Sequence, residues 1–427
     1  MLKNKPSYKV LSLFSSAGIG ELGIKASKMD IVLSNELLKE RCDLYKENYP
    51  ETFSVCGDIW DKKNELIDKW KELCQDPPFL IYATPPCQGM SFNSIGKIQN
   101  EIREGRRPKE DPRNRLIIPT VEVIKSLHPQ WVLLENVPEM LNTIISTDTG
   151  YRNIIEYMTE ELSFDYVGKA EVVNCADYGI PQKRERLITI FSRTPEAKEY
   201  FAMHGSFIPQ RTHSESGKDG LKEWVTLRDA IGTLPPLSAE KGRNECSELP
   251  WHVVPVMKED KFWWISNTPY NETAYNNQCV KCGCNENPRH GMCMMDGRHQ
   301  SRKNTPIYCM KCGALLPRPT MVDKVTGERR IIKGFDSAYR RMTWDTPAGT
   351  LTQNFQYEAS DKKLHPDQNR VLSVYEGLVL QTISEYDYKF EIGGKTIRRN
   401  LCCQIIGESV PPRLIELICK RIKSIQG

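Results

Sequence analysis

At 427 residues, with 39% hydrophobic and 27% charged residues, the chain has room for more than one domain and the make-up of a soluble globular protein. No apolar run approaches the roughly 20 residues of a membrane span, and Met1 to Ser7 carries no signal-peptide core, so a cytoplasmic protein is expected. Fifteen cysteines in that compartment argue against a disulfide framework and for metal or catalytic use of some of them.

Tyr8 to Phe14 reads as a strand. It runs into the small-residue turn Ser15-Ser16-Ala17-Gly18-Ile19-Gly20 and then a helix, the order of a nucleotide-binding open α/β sheet or simply of a tight turn. A second strand ends on Glu36, where such sheets grip a ribose diol, and a third ends near Asp58 and Ile59. Three successive strand ends make a crevice for an adenosine-type ligand.

Phe79 to Ala83 is a fourth, buried strand, stopped by Pro85 and Pro86. Cys87 follows. Taken alone it is either a packing residue or a nucleophile whose position two prolines restrict. The polar stretch Ser91 to Arg113 lacks periodicity and is placed to close over a substrate. A helix is predicted over 115–127. The apolar strand from Gln130 ends in Glu135-Asn136, on the same rim as Cys87. A helix over 151–162 and a strand over 166–174 come next. Gln182, Arg184 and Arg186 would face one side of an extended segment, two guanidiniums suited to an oxyanion or a surface ion-pair cluster.

The stretches Leu13-Phe-Ser-Ser-Ala-Gly18, Pro86-Cys87-Gln88, Glu135-Asn136-Val137 and Gln182-Lys-Arg184-Glu-Arg186 resemble, in order and spacing, those of cytosine-5 DNA methyltransferases. The resemblance implies a mostly parallel α/β methyltransferase sheet with helices on both faces. It implies Cys87 as the thiolate that adds to carbon 6 of a flipped-out cytosine and Glu135 as the acid at the ring nitrogen and amine. Arg184 would sit near the base's oxygen, with Arg186 beside it. S-adenosyl-L-methionine would be the methyl donor, held by Phe14, Ala17, Gly18, Glu36, Asp58, Ile59 and Ser409, and the Ser91–Arg113 loop matches the family's gate. Gln404 to Pro412 resembles the motif that completes the donor pocket. Glu408 stands there where the family usually has Asn, and Ser16 and Ile19 stand where it usually has Gly.

Strand–helix alternation stops after about residue 195. Residues 196–335 read as a separate, irregular domain, and the resemblance implies that it is the target-recognition insert between the first catalytic part, 1–195, and the bridging segment and return, 336–427. Within it lie two Cys-x-x-Cys-Gly knuckles, Cys279/Cys282 and Cys309/Cys312, a zinc-ribbon pattern for a structural Zn²⁺. Cys284 and Cys293 lie between them and could substitute. From Gln278 to Asp345 thirteen Lys/Arg stand against six Asp/Glu, on a chain whose net charge is +4, a candidate polyanion surface. Arg289, His290, Arg298, His299, Arg302 and Lys303 lie between the knuckles. The expectation is a site-specific, nucleoid-associated methyltransferase of double-stranded DNA, working beside a cognate restriction endonuclease without a stable protein partner. An RNA cytosine methyltransferase and a catalytically silent DNA-binding protein are the alternatives.

Overall fold

The structure, a computed structural model, describes residues 8–86, 111–290, 292–295, 298–301 and 305–427. Its first half is the expected alternation: β1 (Lys9–Leu13), α1 (Ile19–Ala26), β2 (Asp30–Glu36), α2 (Lys39–Asn48), β3 (Phe53–Cys56), α3 (Ile59–Leu73), β4 (Leu80–Ala83), α4 (Ile117–Leu127) and β5 (Trp131–Asn136). Then come α5 (Ile154–Leu162), β6 (Val167–Asn174), β7 (Glu185–Ser192) and α6 (Pro195–His204). The seven strands form one sheet in the order β3-β2-β1-β4-β5-β7-β6. All neighbours pair in parallel except β7, which is antiparallel to both β5 and β6.

The strand sequences explain the layering. Leu80–Ala83 and Trp131–Asn136 are buried at every position, the near-continuous burial of strands covered on both faces. One face packs Leu11, Ile81, Val132 and Leu134 against Ile124 of α4 and Leu66 and Trp70 of α3. The other packs Val10, Leu80 and Leu133 against Leu414, Ile415 and Ile418. Those last residues belong to α9 (Pro412–Gln426), which follows α7 (Val374–Leu380) and α8 (Arg399–Glu408). The chain's last helix thus closes the sheet begun by its first strand, as expected.

Two elements differ from the sequence reading. The helix expected over 151–162 starts at Ile154. Gly150–Asn153 instead pairs with Ile144–Thr147, and the Asn153 side chain accepts from the N–H groups of Ile155 and Glu156, capping the helix at that point. Helix α8, unread in the sequence, carries the stretch before Ser409. Helix α6 packs on β6 and α9, so the irregular part of the chain begins after His204. It contains short paired segments and two helices among the described residues, Leu227–Ile231 and Glu259–Ser266.

The α1–α9 crossing depends on Gly23. A Cβ there would lie 2.2 Å from the Pro412 carbonyl oxygen and 2.6 Å from the Glu416 nitrogen, both backbone atoms that cannot swing aside. Gly23→Ala is expected to cost at least about 1–3 kcal/mol, read as a lower urea midpoint. An unchanged midpoint would mean that the two helices do not meet this closely.

Candidate active site

A cavity of about 590 Å³ opens at the carboxyl ends of β1 to β5, where open α/β sheets bind ligands. Its first wall is the turn after β1. Phe14 and Ser16 adopt φ of 58° and 47°, and Gly18 one of 84°. Left-handed backbone at non-glycine residues costs on the order of 1 kcal/mol or more. The turn is held by Gly18 N–H donating to Ser15 O and by Ser16 N–H donating to the Glu36 carboxylate at 2.9 Å. The other Glu36 oxygen accepts from Leu38 N–H at 2.9 Å. Ser16 therefore sits where backbone geometry favours the glycine usual in the pattern it resembles. Asp58 caps α3 by accepting from Trp60 N–H, 3.0 Å.

Of the residues named for the donor, Phe14, Glu36, Asp58, Ile59 and Ser409 line this cavity. Ala17 and Gly18 do not. Ala17 is fully buried and its carbonyl accepts from Tyr388 Oη, while a Cβ on Gly18 would lie 2.4 Å from the Tyr49 ring. Both shape the turn from behind.

The second wall comes from β4, β5 and β7. Pro85 and Pro86 line it, with Glu135, Asn136, Val137 and Arg186. Asn136 Nδ2 donates to Pro85 O at 3.0 Å, tying the end of β5 to the segment leading to Cys87. Cys87 itself lies outside the described residues, as does the 91–110 part of the expected gate. Arg186 Nε meets Glu135 Oε1 at 2.8 Å. Burial pushes the Glu135 carboxyl above its ordinary range, although Arg186 and Arg184 pull the other way. A carboxyl so placed can hold a proton at the cavity wall.

Arg184 requires a correction. It was expected at the base's oxygen, yet it does not line the cavity. Its guanidinium is fully buried and donates to the carbonyls of Leu351 (2.8 Å), Gly407 (3.1 Å) and Ser409 (2.7 Å). Gln182 works alongside it, accepting from Leu351 N–H and donating to Leu380 O and Gln381 Oε1. The two side chains stitch this segment to the C-terminal part of the chain. The cavity-facing guanidinium is that of Arg186.

Arg41, Gln353 and Tyr82 also line the cavity and escaped the sequence reading. Arg41 answers the Glu408 departure. Its Nη2 pairs with Glu408 Oε2 at 2.5 Å, Gln353 Nε2 donates to Glu408 Oε1 at 2.6 Å, and Arg41 Nη1 reaches Ser16 Oγ at 3.3 Å. Nothing in the helix Lys39–Asn48 signals this partner 367 positions away. At the cavity floor Glu21 is 1% exposed, held by Ser12 Oγ at 2.5 Å. Burial raises its carboxyl to about 7.

In the inserted part, Cys279, Cys282, Cys309 and Cys312 place their sulfurs within 4.8 Å of one another. Neighbouring sulfurs lie 3.6 to 3.7 Å apart. Four thiolates about 2.3 Å from one Zn²⁺ in a tetrahedron would be roughly 3.8 Å apart, so the group fits that ion. Cys284 is outside the group; its carbonyl accepts from Cys279 N–H. The Cys293 side chain lies outside the described residues.

Two predictions separate these roles. Arg184→Lys should cost about 3 kcal/mol of stability, because one nitrogen cannot stand at the two separate positions of Nη1 and Nη2, and a buried charge is left under-bonded. Arg186→Lys keeps a cation beside Glu135 and should cost less, on the order of 1 kcal/mol by the urea midpoint. Equal losses would refute the division. For Glu21, the folded value of about 7 lies above the ordinary 4.5. The folded state therefore holds the extra proton between those values, and stability falls as pH rises through that window. Glu21→Gln should remove that fall, gaining up to about 3 kcal/mol on wild type by pH 8; parallel pH profiles of the two proteins would contradict it.

A family model for C-5 cytosine-specific DNA methylase matches residues 8–424. The chain is 31% identical over 423 residues to Type II methyltransferase M1.HgaI of Avibacterium volantium, covering 96% of this chain and 97% of that one. It is 25% identical to Type II methyltransferase M1.HphI of Haemophilus parahaemolyticus, over 97% and 87% of the two chains. The solved structure of the Entamoeba histolytica methyltransferase EhMeth superposes with a TM-score of 0.55 at 12% identity, over 99% of this chain and all of that one, a likeness of fold. The chain belongs to the C-5 cytosine-specific DNA methylase family.

Proposed function

We propose that this cavity methylates carbon 5 of a cytosine flipped out of double-stranded DNA, with Cys87 as the nucleophile. The observation that carries the reading is the single cavity shared by two walls. Phe14, Glu36, Asp58, Ile59 and Ser409 lie on one, and Glu135, Arg186 and the Pro85-Pro86 approach to Cys87 on the other. S-adenosylmethionine supplies the methyl group when bound along the first wall.

The chain's own groups divide the work. The Cys87 thiolate adds at carbon 6 and makes carbon 5 nucleophilic enough to take a methyl group. Glu135, with its raised affinity for a proton, holds one at the ring nitrogen and offsets charge developing there. Arg186 orients Glu135 and faces the base's oxygen, the role first assigned to Arg184. Arg184 positions Ser409 from behind. Loss of the carbon-5 proton and expulsion of the thiolate end the cycle. The base must leave the duplex for these atoms to meet.

The inserted segment after His204 acts as the target-recognition part, and its four-cysteine group holds one structural Zn²⁺. A closed four-thiolate site has no open position for catalysis. Among the described residues no helix is long and apolar enough to cross a membrane. The Type II methyltransferase relatives favour a place in a restriction-modification system, at the nucleoid, paired in function with an endonuclease.

Incubation with the donor and a duplex carrying 5-fluorocytosine should trap a covalent adduct, because fluorine at carbon 5 blocks the final elimination. Cys87→Ser should give none, and Arg186→Ala should slow trapping on the order of 100-fold. Adducts on RNA alone would favour the RNA reading, and none on either would favour a silent DNA-binding protein. Elemental analysis should find one zinc per chain, falling to near zero in Cys279→Ser/Cys309→Ser.

A further inference from the structure

The two knuckles are near copies in sequence and in shape. Each runs Cys, apolar residue, Lys, Cys, Gly: Cys279-Val280-Lys281-Cys282-Gly283 and Cys309-Met310-Lys311-Cys312-Gly313. In each the first cysteine is buried and its N–H donates across the turn, Cys279 to Cys284 O and Cys309 to Ala314 O. Each closes on a left-handed glycine, φ 69° and 68°. The residues at the two tips point outward. Val280 is 56% and Met310 74% exposed, and Lys281 and Lys311 are exposed beside them.

The tips are held in one fixed relation. Sulfurs meet across the knuckles, Cys279 with Cys312 and Cys282 with Cys309. Asn287, 2% exposed, accepts from Met310 N–H at 2.9 Å and donates to Cys284 O, locking the second tip to the loop of the first.

Of the cations expected between the knuckles, Arg289 and His290 have internal partners, while the side chains of Arg298, His299, Arg302 and Lys303 lie outside the described residues. Arg289 pairs with Glu272 at 3.0 Å. His290 is buried and stacked on Tyr275 at 4.3 Å. Arg318, also buried, donates to the carbonyls of Asn277, Pro288 and Pro306. These groups brace the module. Lys281 and Lys311, by contrast, have no ion-pair partner among the described residues.

From this we infer that the two knuckle tips form one rigid, two-pronged contact to duplex DNA. Lys281 and Lys311 each meet a phosphate, while Val280 and Met310 cover sugar or base edges. The argument is one of charge and surface together. A pair of uncompensated ammonium groups suits a polyanion. Two apolar side chains left in water at the same points gain from being covered. A metal-stiffened pair loses little entropy on docking. The inference rests on the DNA-methylating reading above and refines where the inserted segment touches its substrate.

The test is fluorescence anisotropy of the full-length, zinc-loaded protein on a labelled random-sequence DNA duplex across a salt series. Lys281→Ala/Lys311→Ala should weaken binding on the order of tenfold and flatten the slope of log affinity against log salt by about 1.8, for two phosphates. Its zinc content should be unchanged. Val280→Ser/Met310→Ser should weaken binding with the slope kept. Lys71→Ala, an exposed lysine of α3, should alter neither. If the lysine pair leaves affinity and slope at wild-type values with zinc retained, or changes them no more than Lys71→Ala does, the inference fails while the methyltransferase reading stands. Wild-type protein that binds no duplex, with or without S-adenosylhomocysteine, overturns both.

Discussion

A buried guanidinium holds the catalytic part together. Arg184 lies at zero exposure and donates to three carbonyls from two distant stretches, Leu351 in one and Gly407 and Ser409 in the other. Gly407 lies in the last turn of α8, where unpaired carbonyls and the helix dipole favour a cation. The charge is thus compensated by backbone dipoles, which lack the conformational freedom of a carboxylate partner. Because Ser409 lines the cavity, the same bonds that stabilise the core also fix one edge of the ligand site. Alternate residues along one extended segment then divide naturally: Gln182 and Arg184 reach back into the C-terminal part, and Arg186 faces the cavity.

The cavity concentrates acids. Glu21, Glu36, Asp58, Glu135 and Glu408 all line it, against Arg41, Arg113 and Arg186. Each carboxylate is managed differently. Glu36 accepts two backbone N–H bonds, Glu135 and Glu408 pair with arginines, and Glu21 is left to burial and one hydroxyl. Burial raises Glu135 and Glu408 despite their partners. A wall with more carboxyls than guanidiniums is a poor place for an anion and a favourable one for a cation. That polarity accords with a cationic sulfonium donor.

Much of this site was legible because strand ends are legible. Phe14, Glu36, Asp58 and Glu135 each terminate or follow an apolar run, and the sheet topology brings such ends together whatever lies between. Ala17 and Gly18 misled because a short motif does not say which of its residues face the ligand and which shape the turn. Arg184 and Arg186 are two residues apart with the same chemistry, and only the packing of residues 348–353 and 406–409 tells them apart. The Arg41–Glu408 pair was hidden for a related reason. Glu408 could be read as a departure, but its compensation lies on another helix, with no periodicity or motif to mark it. The four-cysteine group was readable from spacing alone, since tight Cys-x-x-Cys turns already fix two sulfurs side by side.

The return of α9 to the sheet has a kinetic consequence. Val10, Leu80 and Leu133 present one face of the early strands, yet the helix that covers them follows the inserted segment in the chain. Contacts this far apart in sequence are slow to close, and apolar surface waiting for them invites association with other chains. Emerging from the ribosome, the first catalytic part must therefore carry an open apolar face through the whole synthesis of the inserted segment. A chaperone that shields it during that interval would raise the yield of active enzyme without touching any residue of the cavity.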